Sequence, residues 1–120
     1  MYVPKKSGNK YYNEKVTLFG ETFDSKHEAE EYLALRDLQR KGKIRNLRRQ
    51  VRYELIPKQY VDGKLAEKSV VYVADFVYEL PTGKIVVEDA KGYKRGTAYA
   101  VFVIKRKLML QVHGIQVKEV

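Results

Sequence analysis

The sequence predicts an α/β (α+β) fold in which a mixed β-sheet is flanked by helices. Three observations support this prediction: two segments with helical periodicity, several short segments with the pattern of strands, and turn residues between them. The chain has 120 residues, of which 44% are hydrophobic and 32% charged, as is typical of one folded domain. We expect a flexible basic arm over residues 1–14 and a single domain over residues 15–120.

The first half of the chain is predicted to contain a hairpin, a helix and a strand. Two short strands cover residues 16–19 and 22–23. The helix runs from Ser25 to about Lys41, because Ser25 can cap it and apolar residues follow at helical spacing. After a short linker, apolar and polar residues alternate over 50–56, which predicts a strand with one polar side.

Two further strands are expected in the middle of the chain. Residues 57–69 contain the turn pair Asp62-Gly63 among polar residues and are predicted to be a long hairpin connection. Residues 70–80 are nearly all apolar or aromatic on both faces, as expected of a central strand. A turn then leads into a strand over residues 85–91, so these two strands form a hairpin.

The chain is predicted to end with a loop, a helix and a last strand. The loop covers residues 92–97, the helix about 98–113 with Gly114 as its stop, and the strand 115–120. The apolar face of this helix is expected to consist of Val101, Ile104, Leu108 and Val112.

The composition of the chain narrows the range of possible functions. The net charge of +9 attracts polyanions, so nucleic acid is the first partner to consider, although solubility alone explains a basic surface about as well. The absence of cysteine excludes disulfides and thiolate chemistry, and two distant histidines argue against a zinc site. There is no apolar run of the ~20 residues that a membrane helix needs and no secretory signal, so we expect a cytoplasmic protein without a membrane partner.

Charged residues interrupt the two central strands. Asp75 breaks the apolar run of residues 70–78, and a buried carboxylate must be paired, neutralised, hydrogen-bonded or bound to metal. In the next strand, alternation places Asp89 and Lys91 on one face and Glu88 on the other. Two carboxylates on neighbouring strands suit Mg²⁺, which keeps several waters. A structural ion pair is the alternative, but stability alone hardly justifies two acids and a lysine converging there.

These residues resemble the PD-(D/E)XK nuclease superfamily, with Asp75 as the first acid, Asp89-Ala90-Lys91 as the (D/E)XK element, and Ala74 in place of the usual proline. A phage-associated family of small nuclease-like proteins of unassigned function is also similar over about residues 12–120. The motifs that this sequence shares with that family are Phe23-Asp24-Ser25-Lys26, Glu28-Ala29, Ala74-Asp75-Phe76 and Val87-Glu88-Asp89-Ala90-Lys91-Gly92. The resemblance implies a restriction-endonuclease-like fold and relatives among Holliday-junction resolvases and transposase endonuclease subunits.

Three further residues are candidates for the site. The resemblance matches its helical glutamate to Glu28, which would join the acids around the metal. The pattern from Ser25 to Glu28 is also a capping box, so a helix-capping role stays equally open. Glu88 would replace Asp89 as metal ligand if the strand register differed by one residue. Gln50 could orient water or the metal shell, or belong to a solvated face.

The predicted function is that of a metal-dependent deoxyribonuclease. Asp75 and Asp89 would hold Mg²⁺, for which Mn²⁺ can substitute, and Lys91 would stabilise charge on the phosphate. Phosphate contacts are expected from Lys94, Arg95, Lys105, Arg106 and Lys107. A structure-selective endonuclease of phage DNA replication, recombination or packaging, working in the bacterial cytoplasm, would match the resemblance, and a homodimer would supply paired cuts. The alternative is a non-catalytic DNA-binding or scaffold module with the same fold.

Overall fold

The computed structural model describes residues 14–91 and 94–120. Its elements, in chain order, are β1 (Val16–Leu18), β2 (Glu21–Phe23), α1 (Lys26–Arg40), β3 (Arg45–Ile56), β4 (Gln59–Val61), β5 (Lys64–Glu67), β6 (Val70–Glu79), β7 (Ile85–Asp89), α2 (Gly96–Leu108) and β8 (Lys118–Glu119). The main sheet has the order β3-β6-β7-β8, in which β8 alone runs parallel to its neighbour. The sheet is mixed and the predicted α+β fold is confirmed. The predicted arm lies outside the described residues except for Glu14, as do Gly92 and Tyr93 of the predicted loop.

Helix α1 and the β1–β2 hairpin cover one face of the sheet. The buried residues of this core are Phe23, Ala29, Leu35, Ile44, Phe76 and Tyr78. The helix begins as predicted, because the Ser25 hydroxyl accepts a hydrogen bond of 3.1 Å from the backbone nitrogen of Glu28. The first turn of α1 lies near the end of β7, where Nε2 of His27 is 2.8 Å from the carbonyl of Val120 and the backbone nitrogen of Val120 donates to the carbonyl of Asp89.

Helix α2 covers the other face. The buried residues of this second core are Leu55, Tyr72, Ala74, Val77, Val87, Phe102, Met109 and Val117. The helix continues through a π-helical turn over Met109–His113 and ends at Gly114, whose φ of 69° confirms it as the stop. Within residues 14–91 and 94–120, no helix has the length and apolarity to cross a membrane.

The predicted apolar face of α2 was right for Leu108, which packs against the second core, and wrong for the other three residues. Val101, Ile104 and Val112 are 44–57% exposed, whereas Phe102 and Met109 are buried against the sheet. The helix is apolar on more than one side, so periodicity alone could not indicate which side contacts the sheet.

Strand β3 starts five residues earlier than predicted, at Arg45 instead of Gln50. Its first residues pair with the far end of β6, where Arg45 lies opposite Glu79. The connection over residues 57–69 contains an exposed hairpin, β4–β5, which turns at Asp62 and Gly63 with φ values of 51° and 78°. The strands that it joins are antiparallel, as predicted.

The last two predicted strands are shorter than expected. Strand β7 ends at Asp89, not at residue 91, and β8 keeps two residues of the predicted 115–120. Beyond β7 the chain continues toward α2, so Lys91 follows the strand although its backbone nitrogen still donates to the carbonyl of Val120 at 3.2 Å.

Candidate active site

Asp75 lies where two paired strands change the face that they bury. Ala74 and Val77 both belong to the core beneath α2, although a spacing of three residues puts side chains on opposite faces of a regular strand. Across from Asp75, Gln50 of β3 has a φ of 54°, while the pairing on both sides of it keeps one register. A non-glycine residue in this region costs about 1–3 kcal/mol, and such strain concentrates at functional sites. One of the strained points of β3 therefore lies beside the first candidate acid.

The register between β6 and β7 brings the two candidate acids side by side. Phe76 pairs with Glu88, so the next position along the ladder sets Asp75 against Asp89 on the other face. One oxygen of Asp75, Oδ2, accepts a hydrogen bond of 2.9 Å from the backbone nitrogen of Ala90. This bond ties Asp75 to the segment that follows Asp89.

Glu88 lies on the opposite face of β7, buried beneath α1. Its Oε2 accepts a hydrogen bond from the Tyr78 hydroxyl and lies 3.9 Å from Nζ of Lys118. Burial, together with the neighbouring Glu88, raises the pKa of Glu31 to about 7. The structure thus separates Glu88 from Asp75, and the register that would have made Glu88 a metal ligand is not the one observed.

Asp89 is 3% exposed and its two oxygens have different neighbours. Oδ1 accepts a hydrogen bond of 3.0 Å from the Tyr72 hydroxyl. Oδ2 lies 2.7 Å from Nζ of Lys91 as an ion pair, but no described residue gives it a hydrogen bond of good geometry. The Lys91 ammonium also lies 4.4 Å from the ring centroid of Phe102, a cation–π contact that holds the lysine over the site.

Negative charge is crowded around Asp75. Burial and the charges of Asp89 and Glu28, opposed by the Ala90 N–H and the charge of Lys91, together raise the pKa of this half-buried carboxyl to about 7. Lys91 pairs with Asp89 and Arg49 with Glu28, whereas Asp75 has no ion pair among the described residues. The site therefore favours either a proton on Asp75 or an added cation.

Glu28 and Gln50 extend the site toward α1. Glu28 is 4% exposed, and its Oε1 accepts a hydrogen bond of 3.2 Å from the backbone nitrogen of Asp24. Its Oε2 lies 3.3 Å from Nη2 of Arg49 and 3.4 Å from Nε2 of Gln50. The same Gln50 nitrogen lies 3.4 Å from Oδ1 of Asp75. Glu28 thus supports the segment before α1 with one oxygen and reaches the candidate site through Gln50 with the other.

The basic residues predicted to contact phosphate lie in and before α2. Lys94 and Arg106 lie 3.9 Å and 3.7 Å from Glu119, which pairs with Asp89 across β7 and β8. Arg95 is the N-cap residue of α2, Lys107 is exposed and Lys105 is half-buried. This group therefore borders the strand that carries Asp89.

Three residues of the site were missed by sequence reasoning: Tyr72, Arg49 and Phe102. Tyr72 and Phe102 look like core aromatic residues in the sequence, and only the fold reveals their contacts with Asp89 and Lys91. Arg49 had a signal, because it belongs to a run of basic residues. Burial and Asp89 raise the pKa of Tyr72, which keeps its hydroxyl a donor.

The described residues include no group of three or more histidine, cysteine or acidic side chains arranged to hold a metal ion. Asp75 and Asp89 form a pair, with one oxygen of Asp89 buried and without a hydrogen bond. Mg²⁺ needs only one or two carboxylates and keeps waters in its other positions. The donor set therefore fits Mg²⁺ better than a metal that requires a cage of protein ligands.

Comparisons with known proteins identify a family but no activity. A family model described as "Protein of unknown function (DUF1064)" matches residues 8–119. The match includes every helix and strand of the structure and every candidate site residue. No curated protein and no solved structure matches the chain.

Proposed function

The chain belongs to the DUF1064 family, and we propose that it is a magnesium-dependent deoxyribonuclease of the PD-(D/E)XK superfamily. The observation that carries this proposal is the proximity of Asp75 and Asp89 at the break in β6, with Nζ of Lys91 2.7 Å from Asp89. A purely structural cluster would balance its charges, because uncompensated buried carboxylates are destabilising. The pKa of Asp75, raised to about 7 by burial and then by the neighbouring charges of Asp89 and Glu28, suits a bound cation.

Asp75 and Asp89 would hold the ion. When bound, Mg²⁺ supplies positive charge to a phosphate oxygen and lowers the pKa of water. Two hydrogen bonds fix these carboxylates, because the Ala90 N–H orients Asp75 and the Tyr72 hydroxyl orients Asp89. Hydrogen-bond partners of this kind keep metal-binding side chains in the orientation that they need to bind the ion.

Lys91 stabilises negative charge that develops on the phosphate during hydrolysis. Its side chain is 29% exposed, so it can contact a ligand while its ammonium lies against the Phe102 ring. A preorganised cation near the reacting group acts mainly on the transition state. Gln50, which is exposed and lies beside both Asp75 and Glu28, orients the attacking water. The phosphates on either side contact Lys94, Arg95, Lys105, Arg106 and Lys107.

The test is cleavage of labelled duplex, single-stranded and four-way-junction DNA with Mg²⁺, Mn²⁺ or a chelator. Asp75→Asn and Lys91→Met should abolish metal-dependent cutting in proteins whose folding is verified by circular dichroism. Asp62→Asn is the matched carboxylate control, since Asp62 lies in an exposed turn with a φ that asparagine tolerates. Lys84→Met serves as the matched lysine control, in the turn at the other end of β6.

Cutting by the wild type and both controls, and by neither site variant, would establish the nuclease. Binding of DNA without cutting under every metal would refute it and favour a non-catalytic DNA-binding module. A scaffold protein would bind DNA weakly and without preference for the structure of the DNA, and Asp75→Asn would not change this binding.

A further inference from the structure

Strand β3 forms one edge of the main sheet and begins in the most basic segment of the chain. Residues 40–52 include seven basic residues and no acidic one. The basic residues are Arg40, Lys41, Lys43, Arg45, Arg48, Arg49 and Arg52. Concentrated positive charge of this kind attracts a polyanion unless nearby carboxylates neutralise it.

Four of the seven have carboxylate partners. Arg40 and Lys41 pair with Asp37, Arg45 with Glu79, and Arg49 with Glu21 and Glu28. The remaining three, Lys43, Arg48 and Arg52, are exposed and have no carboxylate within 4 Å among the residues that the structure describes. Arg48 donates a long hydrogen bond of 3.5 Å to the carbonyl of Asn46, and its charge helps to lower the pKa of Glu79.

The two exposed arginines of β3 stand on either side of the candidate site. Each is two residues, or about 7 Å of strand, from Gln50. The Gln50 side chain in turn lies 3.4 Å from Asp75. A phosphate backbone that contacts both arginines therefore runs past Gln50, the residue of β3 that contacts Asp75.

The surroundings of Arg52 are open to a ligand. Arg52 lies opposite Val73, which is 37% exposed, on the face that α1 covers elsewhere. The core beneath α1 includes Phe76 and Tyr78 of β6 but does not reach Val73. Arg48 lies opposite Val77, which belongs to the α2 core, so the two arginines flank the edge of the sheet from its two faces.

We propose that the exposed edge of β3 binds the phosphate backbone of DNA and leads it past Asp75, with Arg48 and Arg52 contacting phosphates on either side of the site. This inference rests on the proposed nuclease function for the identity of the polyanion. Guanidinium groups suit the role because they bind phosphate oxygens through paired hydrogen bonds. These contacts position the backbone without reading its sequence.

The experiment compares two double variants that lose the same charge. Arg48→Gln with Arg52→Gln removes the proposed contacts, and Arg40→Gln with Lys41→Gln is the control at the far end of α1, about 20 Å of helix from Glu28. Binding of a labelled duplex is measured by fluorescence anisotropy in chelator, over a series of salt concentrations. The β3 variant should bind about tenfold more weakly and reduce the salt slope by about 2, one unit for each lost contact. The control should stay within about twofold of the wild type.

Two results would overturn the inference: the same affinity loss in both double variants, or a wild type that does not bind duplex DNA. The experiments also distinguish a failure of the β3 contact from a failure of the nuclease proposal. Binding that depends on Arg48 and Arg52 without any cleavage would refute the nuclease and keep the β3 contact. Metal-dependent cleavage with an unchanged KM in the β3 variant would keep the nuclease and refute the contact.

Discussion

Replacing Asp75 by asparagine should stabilise the metal-free protein while abolishing its activity. The reason is burial, reinforced by the neighbouring carboxylates, which makes the ionised form of Asp75 unfavourable in the folded state. Asparagine has nearly the same shape, and its oxygen can accept the Ala90 N–H as Asp75 does. The substitution therefore removes the charge and keeps the hydrogen bond.

The magnitude follows from the pKa of Asp75, which rises from 3.8 to about 7 in the folded protein. Below pH 3.8 both folded and unfolded chains hold the proton, so the group does not affect stability. Between that value and about 7 the unfolded chain loses the proton first, so the wild type loses stability as the pH rises. This shift limits the gain in unfolding free energy of Asp75→Asn to about 4 kcal/mol. We expect a gain of about 1–2 kcal/mol, because Asp75 is half-buried and the substitution disturbs its contact with Gln50.

The assay is urea denaturation in chelator at pH 5 and pH 8, with Asp62→Asn as the control. The gain in unfolding free energy for Asp75→Asn should be larger at pH 8 than at pH 5. Added Mg²⁺ should then raise the stability of the wild type, since a ligand that binds only the folded state stabilises it, but should not stabilise the variant. A loss of stability at both pH values, with no effect of Mg²⁺ on the wild type, would refute the reasoning and mark Asp75 as a structural residue.

Three further predictions follow from the contacts of the site and of α2. Lys91→Met should lower kcat by roughly a hundredfold or more, as is typical for loss of a transition-state donor. The Kd for DNA in chelator should change little. Equal losses in kcat and in DNA affinity would contradict the role assigned to Lys91. Tyr72→Phe should lower the unfolding free energy by about 1 kcal/mol, because Asp89 loses its hydroxyl donor. Met109→Ala should cost about 2–5 kcal/mol and Val112→Ala less than about 0.5 kcal/mol in urea denaturation, because only Met109 is buried; the reverse order would mean that α2 packs through the other face.

Much of the site was predictable because strands alternate with period two. That alternation assigned Asp89 and Glu88 to opposite faces of one strand, and the apolar run around Asp75 marked a buried strand beside it. The β6–β7 register agrees with both expectations. Residues that act through neighbours in space, such as Tyr72, carried no such signal because nothing in the local sequence points to Asp89.

The sequence by itself determined the local features of this protein: the cap at Ser25, the stop at Gly114, the central strand β6 and the face of Asp89. Each depends on a few adjacent residues and on backbone geometry that does not change with the rest of the fold. Only the tertiary structure decided which face of α2 is buried, how far β3 extends and that Gln50 joins Glu28 to Asp75. These depend on which distant segments pack together, and packing overrides local preference where several arrangements bury similar apolar surface.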